Sequence, residues 1–325
     1  MLKRFVFARE DRPDTDWLAR FVVGRDEAER WYLGEALEDP PTAAECRTAL
    51  RQHMPELMPH YDRVCALVGE DDMAHRMLSH YRPPPTYFGC TQAVWLGDDG
   101  PALVRNYDFP LNIVSDRFEL SSWSGRDVIS KAQRPWGGCL DGMNADGLVA
   151  SLTFGGRRVQ GRGFSVILML RYVLETCSRV DQAIAALSRI PIALSQNVTL
   201  LDRSGTYVTL FLGPDRAPAI SQVRACANHQ EIDTRPPSMA ETYSVERQQT
   251  LLQALNEPSM TLSALTARLL KPPLYSRRAG FTTAYTAVYR PAERRVDYIW
   301  PGKSQRQHFD RFEIGEYIHD YGELL

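Results

Sequence analysis

The chain has 325 residues, of which 44% are hydrophobic and 24% charged, values that are ordinary for a globular enzyme. Its 38 basic and 40 acidic side chains give a net charge of −2, which argues against a general binder of nucleic acid or of an anionic membrane. The most apolar run, residues 164–170, is far shorter than the ~20 residues of a membrane span. The first eight residues lack the apolar core of a secretory signal. We therefore expect a cytoplasmic protein that binds neither nucleic acid nor membrane.

The cysteines, histidines and glycines form no pattern typical of a metal or cofactor site. The six cysteines include no C-x-x-C pair, and the seven histidines include no H-E-x-x-H or H-x-H pattern. No phosphate-binding loop, dinucleotide fingerprint or G-x-S-x-G motif occurs. We expect no structural zinc, no disulfide scaffold and no cofactor, which fits a reducing compartment.

Residues 1–82 are predicted to be helical. Thr42 followed by Glu45 is a capping-box pattern, and Pro55 and Pro59 predict a break in the helix that begins there. The predicted helices cover residues 14–37, 42–68 and 71–81. This segment is interpreted either as a propeptide or lid, or as a plain helical subdomain.

The triple proline at 83–85 ends the helical segment and favours an extended chain. A strand over 87–96, a turn at 97–100 and a returning strand over 102–106 then predict a hairpin. Later strands are predicted over 147–154, 197–202, 207–212, 281–289 and 295–300, and helices over 164–177, 181–190, 244–255 and 261–270, with Asp181 as a cap. Because each sheet must bury one face, this order predicts an α+β protein with two sheets covered by helices.

The candidate site is Gly89-Cys90, together with Arg105 and Asp108 on the returning strand and its exit. We hypothesise that the chain cleaves itself between Gly89 and Cys90. Cys90 would then carry an α-amine, whose ordinary pKa of ~8 suits a base for its own thiol. Arg105 would favour the thiolate, and Asp108 would accept hydrogen bonds from the ammonium group. Glycine at position 89 would permit an unusual backbone geometry at the cleavage point.

Three alternatives stay open at this point. Cys90 could instead be a buried strand cysteine, because free cysteine is among the most buried residue types. Arg105 and Asp108 could form a plain surface ion pair. His229, beside Asn228, also allows a papain-like Cys/His/Asn arrangement, although the C-G-x-C-W surroundings of that family are missing.

Taken together, the motifs resemble those of cysteine-type N-terminal-nucleophile (Ntn) hydrolases, in the family of isopenicillin-N (acyl-CoA:6-aminopenicillanic acid) acyltransferase. Choloylglycine hydrolases and acid ceramidase are more distantly similar. The segments that carry the resemblance are Gly89-Cys90-Thr91, Arg105 to Phe109, Gly142 to Leu148, Asn197 to Gly205, Asn228-His229 and Ser244-x-x-Arg247.

The resemblance implies a four-layer αββα sandwich and autocatalytic cleavage just before Cys90. Residues 1–89 would be a helical propeptide or lid segment, and residues 90–325 the catalytic domain. The implied reaction is hydrolysis or transfer at a linear amide, with a small N-acyl substrate and acyl-CoA as a further candidate donor. An unprocessed, catalytically silent Ntn-like protein that binds a partner is the alternative. Neither the acyl group nor the oligomeric state follows from the sequence.

The resemblance also assigns roles at the site. Cys90 would be the nucleophile, Arg105 and Asp108 its supporting pair, Asn228 the oxyanion donor, and Arg247 the completion of the polar cluster. A helix-face charge is the alternative for Arg247. The chain departs from its relatives at two positions: Thr153 stands where some carry an asparagine, and Gln230 where they tend to carry an aromatic residue. Asn197 is therefore a rival oxyanion donor.

Overall fold

The computed structural model describes residues 1–34, 39–87, 89–133, 137–230 and 242–324. Its helices are α1 (Thr15–Gly34), α2 (Ala43–His53), α3 (Met58–Val68), α4 (Asp72–Leu78), α5 (Val166–Thr176), α6 (Val180–Arg189), α7 (Ser244–Leu255) and α8 (Leu262–Leu269). Its strands are β1 (Leu2–Glu10), β2 (Gly89–Trp95), β3 (Ala102–Phe109), β4 (Arg117–Ser121), β5 (Val128–Gln133), β6 (Gly138–Asn144), β7 (Val149–Phe154), β8 (Gln196–Leu201), β9 (Tyr207–Gly213), β10 (Arg216–Ser221), β11 (Ala225–Cys226), β12 (Arg277–Arg278), β13 (Phe281–Arg290), β14 (Arg295–Trp300), β15 (Lys303–His308) and β16 (Gly315–Asp320).

These strands form two sheets that pack against each other. Within the described ranges the larger sheet has nine strands in the order β10-β9-β8-β7-β6-β5-β4-β1-β16. The smaller sheet runs β11-β2-β3-β13-β14-β15, with β12 paired to β13. Helices α5 and α6 contact the larger sheet, and α7 and α8 contact the smaller one. The result is an αββα sandwich, which confirms the predicted α+β class with two helix-covered sheets.

The pairing of β2 with β3 decides which side chains enter the space between the sheets. Cys90 lies opposite Tyr107, and Gln92 lies opposite Arg105. Because side chains alternate along a strand, Cys90, Arg105 and Tyr107 share the inner face. Accordingly, Cys90 and Tyr107 belong to the main core between the sheets. Asp108 and Asn106 lie on the other face of β3, toward helices α7 and α8. The strand extends to Phe109, so Asp108 lies on it rather than at its exit.

The prediction that residues 1–82 are helical is wrong for residues 2–10, which form β1. This strand pairs in parallel with β4 and antiparallel with β16. Phe5 and Phe7 are buried at a spacing of two, and both contact Phe118. Charged neighbours obscured this period-two pattern in the sequence. The N-terminal segment is therefore built into the larger sheet.

The helices of the N-terminal segment otherwise follow the prediction. Thr42 Oγ1 accepts a hydrogen bond from the Glu45 N–H at 3.2 Å, and the Glu45 carboxylate accepts from the Thr42 N–H at 2.8 Å. A 3₁₀ turn at Pro55–Leu57 separates α2 from α3, as the prolines predict. The predicted extension of the first helix to Leu37 lies outside the described residues. None of the helices within the described residues is long and apolar enough to cross a membrane.

Several elements were not predicted from the sequence. Strands β4, β5 and β6 occupy a region without a predicted element, because buried charged residues and glycines interrupt their apolar pattern. Strands β10, β15 and β16 were missed as well. Asp181 lies in the first turn of α6, where Arg179 occupies the cap position, so the predicted Asp181 cap is wrong.

Candidate active site

Cys90 lies on β2 with its sulfur in the space between the two sheets. The residue has 0% exposure. Arg105 reaches it from the diagonal position on β3, and its Nη2 donates to Cys90 Sγ at 2.9 Å. Burial raises the pKa of the Cys90 thiol to about 12, although Arg105 acts in the opposite direction. The expected effect of Arg105 on the thiol is thus present, but burial outweighs it and the thiol is neutral in the uncut chain.

Asp141, on β6 of the larger sheet, holds Arg105 in place. Arg105 Nη1 lies 2.5 Å from Asp141 Oδ2 and donates to the Leu140 carbonyl at 3.0 Å. The Tyr285 hydroxyl donates to Asp141 Oδ2 at 2.5 Å, and the Tyr289 hydroxyl donates to the other oxygen. Burial alone would lower the pKa of Arg105, but Asp141 and its neighbours reverse this and raise the pKa above its ordinary value. We call Arg105, Asp141, Tyr285 and Tyr289 the inner cluster.

A second polar group lies on the opposite face of β2 and β3, under helix α7. Arg247 Nη1 donates to Asp108 Oδ2 at 2.7 Å and also contacts the Thr91 hydroxyl. The Thr283 hydroxyl donates to Asp108 Oδ1 at 2.6 Å. Burial raises the pKa of Asp108, and Arg247 opposes that shift. The ion pair of Asp108 is therefore with Arg247, not with Arg105 as one alternative held.

Asn228 joins this second group to the backbone of Cys90. Its Oδ1 accepts from the Cys90 N–H at 3.2 Å and from Arg247 Nη2 at 2.6 Å. Both partners are donors, so the side-chain oxygen must face them. If the chain is cut, the same oxygen would face the new α-amine. We call Asn228, Arg247, Asp108, Thr91 and Thr283 the outer cluster.

The spacing Ser244-x-x-Arg247 has a direct structural reason. Residues three apart lie on the same side of a helix, and here both contact Asn228. Ser244 Oγ accepts from the Asn228 N–H at 2.6 Å, and Arg247 holds the side-chain oxygen. His229 Nδ1 lies 2.6 Å from the same Ser244 oxygen. That contact engages one ring nitrogen of His229 with Ser244, which speaks against the papain-like alternative.

Asn197, the rival oxyanion donor, supports the loop that carries Asn228. Its Nδ2 donates to the carbonyls of Ala227 and His229, both at 3.1 Å. Thr153 lies opposite Asn197 on the neighbouring strand and donates to the Ala227 carbonyl at 2.6 Å. Hydrogen bonds thus join all five predicted catalytic residues into one network through Cys90. The hydrogen bonds of Asn197 lead instead to the Asn228 loop.

Gly89 is required for space rather than for an unusual backbone angle. It lies within β2 and is absent from the glycines with positive φ. A Cβ at this position would lie 2.1 Å from Phe281 Cε2 and 2.7 Å from the Asp108 carbonyl oxygen. Any larger residue would push apart β2 and its neighbours beside Cys90. The expectation of an unusual geometry is corrected accordingly.

Sequence reasoning missed several members of both clusters, above all Asp141, Tyr285 and Tyr289. Asp141 stands between Leu140 and Gly142, directly before the Gly142-Met143-Asn144 segment. An acidic residue within an apolar stretch signals a buried, paired charge. The described residues contain no group of three or more His, Cys, Asp or Glu side chains that could hold a metal ion.

Comparison with known proteins gives one family and several similar structures. Residues 95–305 match the family model described as acyl-coenzyme A:6-aminopenicillanic acid acyl-transferase, a match that begins after Cys90 and includes Arg105, Asp108, Asn228 and Arg247. No curated protein matches the chain.

Among solved structures, a variant of the conjugated bile acid hydrolase from Clostridium perfringens aligns with a TM-score of 0.53 and 12% identity, over 71% of this chain and 98% of that one. Penicillin V acylase from Agrobacterium tumefaciens aligns with a TM-score of 0.48 and 14% identity, over 68% and 87% of the two chains. The Caenorhabditis elegans ortholog of N-acylethanolamine-hydrolyzing acid amidase aligns with 0.45 and 16%, over 62% and 93%. The likeness to the first of these agrees with the Ntn-hydrolase sandwich.

Proposed function

Because the chain belongs to the acyl-coenzyme A:6-aminopenicillanic acid acyl-transferase family, we propose that it is a cysteine Ntn enzyme that cleaves or transfers the acyl group of a linear amide. The observation that carries the proposal is the pair of contacts at Cys90. Arg105 lies 2.9 Å from the sulfur, and the Asn228 oxygen lies 3.2 Å from the nitrogen that cleavage would convert to an amine.

The first step in this proposal is self-cleavage. The Cys90 sulfur attacks the Gly89 carbonyl carbon, and the Gly89–Cys90 C–N bond breaks as its nitrogen takes up a proton. Water then hydrolyses the resulting thioester to a Gly89 carboxylate and a free Cys90 thiol. Cys90 now has an α-amine, whose ordinary pKa of ~8 allows it to accept a proton near neutral pH.

The second step is turnover of a small N-acyl substrate. The α-amine takes the thiol proton as Sγ attacks the acyl carbonyl, and it returns the proton to the departing amine. The acyl group remains on Sγ as a thioester until water or another amine attacks it. Asn228 and Asp108 orient the α-amine, and Arg105 stabilises negative charge on the sulfur. The side-chain amide of Asn228 is also the proposed donor to the oxyanion that forms when Sγ attacks the acyl carbonyl. An acyl-CoA donor would enter the same cycle through its own thioester.

Intact mass and N-terminal sequencing test the cleavage. We expect the wild type to separate under denaturing conditions into two fragments, the second beginning at Cys90, while Cys90→Ala stays at 36.9 kDa. We expect residues 1–89 to co-elute with the larger fragment in native buffer, because β1 is paired on both sides. Cys65→Ala, at another buried cysteine, is the control that should still be cleaved.

Activity is tested on the mature protein with N-acyl amino acids, penicillins, bile-salt conjugates and acyl-CoA donors. We expect turnover of at least one class, and none by Cys90→Ala. A wild-type protein that stays at full mass for days, with no turnover, would overturn the proposal and favour the silent binding protein.

A further inference from the structure

A cavity of about 170 Å³ lies between the N-terminal segment and the catalytic sheets. One side is formed by residues before the proposed cut, including Trp31, Tyr32 and Pro84. The other side is formed by residues after it, including Phe109 and Ile167. The volume is comparable to the ~150 Å³ cavity that accepts benzene in another protein. The space therefore suits a group of about six non-hydrogen atoms.

The cavity adjoins the nucleophile. Cys90 lies opposite Tyr107 on β3, and Arg105 and Phe109 are its two diagonal neighbours on the same inner face. Such diagonal neighbours are ~7–8 Å apart. Thr86, four residues before Cys90 in the chain, lines the cavity as well. Cys90 is not among the described residues that line the cavity, but its diagonal neighbour Phe109 is, so the cavity begins one side-chain position away from the nucleophile.

Two glutamines give this mostly apolar cavity a polar patch. Gln133 and Gln196 line it and are only 3% and 1% exposed. Gln133 Oε1 and both side-chain polar atoms of Gln196 are buried without a hydrogen-bond partner. A buried polar atom without a partner is costly, so these atoms are available to bind a polar group that enters the cavity. Together they offer both a donor and acceptors, and neither side chain is charged.

The charged side chains that line the cavity further restrict the class of ligand it can bind. The described lining includes Glu27 and His80 but no lysine or arginine. An anionic group would therefore lack a permanently charged cationic partner and would meet the carboxylate of Glu27. A second cavity of about 680 Å³ shares Glu27, Ile113 and Gln133 with the first, so the two cavities are separated by these side chains.

We infer that this cavity binds the acyl group of the substrate and selects short acyl chains that end in an uncharged hydrogen-bonding group, such as a hydroxyl. The inference rests on the proposed function. The acyl group stays at the site from the attack by Sγ until the thioester is cleaved, whereas the first amine must leave before the acceptor enters, so the enclosed space suits the acyl group. Gln133 and Gln196 bind its polar end, and the N-terminal segment completes the cavity wall.

The test in turnover uses three acyl groups on one amine: the 6-hydroxyhexanoyl, heptanoyl and adipoyl amides of 4-nitroaniline. The first two differ only by a hydroxyl in place of a methyl group, and the third adds a charge. We expect kcat/KM for the hydroxyl compound to exceed that of the other two by roughly 10- to 100-fold, because the apolar analogue leaves the glutamines unpaired. The adipoyl compound is disfavoured because its carboxylate meets Glu27. Gln196→Leu and Gln133→Leu should each remove most of this preference, while surface Gln182→Leu keeps it.

A binding test separates this inference from the proposed function. Cys90→Ala protein is titrated calorimetrically with 6-hydroxyhexanamide and heptanamide, and again after adding Gln196→Leu. Tighter binding of the hydroxyl compound, lost with Gln196→Leu, supports the cavity even if the wild type proves inactive. Equal binding of the two amides, or turnover without preference, overturns the inference while leaving the enzyme proposal intact.

The melting temperature distinguishes a binding role of Gln196 from a merely structural one. Because Gln196 has no partner for its side chain, Gln196→Leu should keep or raise the melting temperature. A marked fall would show that the glutamine stabilises the fold and would count against a binding role.

Discussion

The inner and outer clusters lie on opposite faces of the smaller sheet, and each contacts a different atom of Cys90. The inner cluster presents one cation to the sulfur and fixes that cation with a carboxylate from the other sheet. The outer cluster presents an amide oxygen to the backbone nitrogen. In the proposed cleavage the sulfur would end as the same thiol, whereas the nitrogen would change from an amide to an amine. From this comparison we expect the inner cluster to stabilise the Cys90 thiolate, which is the nucleophile. We expect the outer cluster to orient the α-amine, which is the base.

The largest effect is expected from removing Arg105. Arg105→Met leaves Asp141 without its cation, and breaking a buried ion pair in this way costs about 3–5 kcal/mol of unfolding free energy. Cleavage and turnover should fall at least ~10²-fold, the scale of losing one electrostatic stabiliser. Denaturant unfolding and gel-based cleavage rates measure the two effects.

A double variant separates stability from chemistry. Arg105→Met with Asp141→Asn removes both buried charges and keeps a side-chain oxygen for the Tyr285 and Tyr289 hydroxyls, so it should recover part of the lost stability. It should remain as inactive as the single variant. Wild-type cleavage by the double variant would refute the role given to the inner cluster.

The next effect is expected in the outer cluster, from Asp108→Asn. This change keeps the shape but removes the charge that would stabilise the ammonium form of Cys90. The α-amine pKa should fall, so the acidic limb of the kcat/KM profile should move to lower pH. Turnover should fall about 10²-fold, as when proton transfer is impaired. A variant with an unchanged pH profile would show that Asp108 does not act on the amine.

The pH dependence of the self-cleavage rate tests the protonation state of the Cys90 sulfur, because the α-amine does not yet exist in the uncut chain. Because burial raises the pKa of the uncut Cys90 thiol to about 12, thiolate is scarce at neutral pH. The cleavage rate should rise about tenfold per pH unit between pH 6 and 8.5, if the thiolate is the attacking form. Precursor purified at pH 6 and transferred to higher pH gives these rates on denaturing gels.

The raised pKa of the Cys90 thiol also limits the pH range in which the protein stays folded for this measurement. A thiol whose folded pKa is raised stabilises the fold fully below its unfolded pKa of ~8.5, and this contribution is lost as pH rises from there toward the folded value. Circular dichroism at each pH shows whether the fold persists. A rate that is flat across this range would point to a step other than thiol deprotonation.

The sequence predicted those features that depend on residues close together in the chain. The Thr42 capping box, the break at Pro55 and the β2–β3 hairpin depend on neighbours within a few residues, and each is present. Helix α7 was predicted with its observed bounds. The resemblance likewise supplied the five residues that form one network around Cys90.

Long-range pairing could not be predicted in the same way. Arg105 and Asp108 are close in sequence, which suggested a pair, but their odd spacing puts them on opposite faces of β3. Their true partners, Asp141 and Arg247, are 36 and 139 residues away. Likewise β1 pairs with β16 from the far end of the chain. Such contacts depend on how the sheets stack, which no single segment encodes.

The smallest effect should come from Thr283→Val, which removes one hydrogen bond to Asp108 while leaving its ion pair with Arg247. A hydrogen bond to a charged group contributes about 1.5–3 kcal/mol. We expect a loss of stability in that range, and cleavage slowed only a few-fold because Arg247 still holds the carboxylate.

Thr286→Val, on the same strand, is the matched control for this last change. Its hydroxyl donates to the neutral Asn106 Oδ1 at 2.7 Å, so its loss should cost only about 0.5–1.5 kcal/mol. Its cleavage rate should equal that of the wild type. If both variants slow cleavage equally, the effect belongs to the packing of β13. If only Thr283→Val does, the position of the Asp108 carboxylate itself sets the rate, which is what the outer cluster's role at the nitrogen requires.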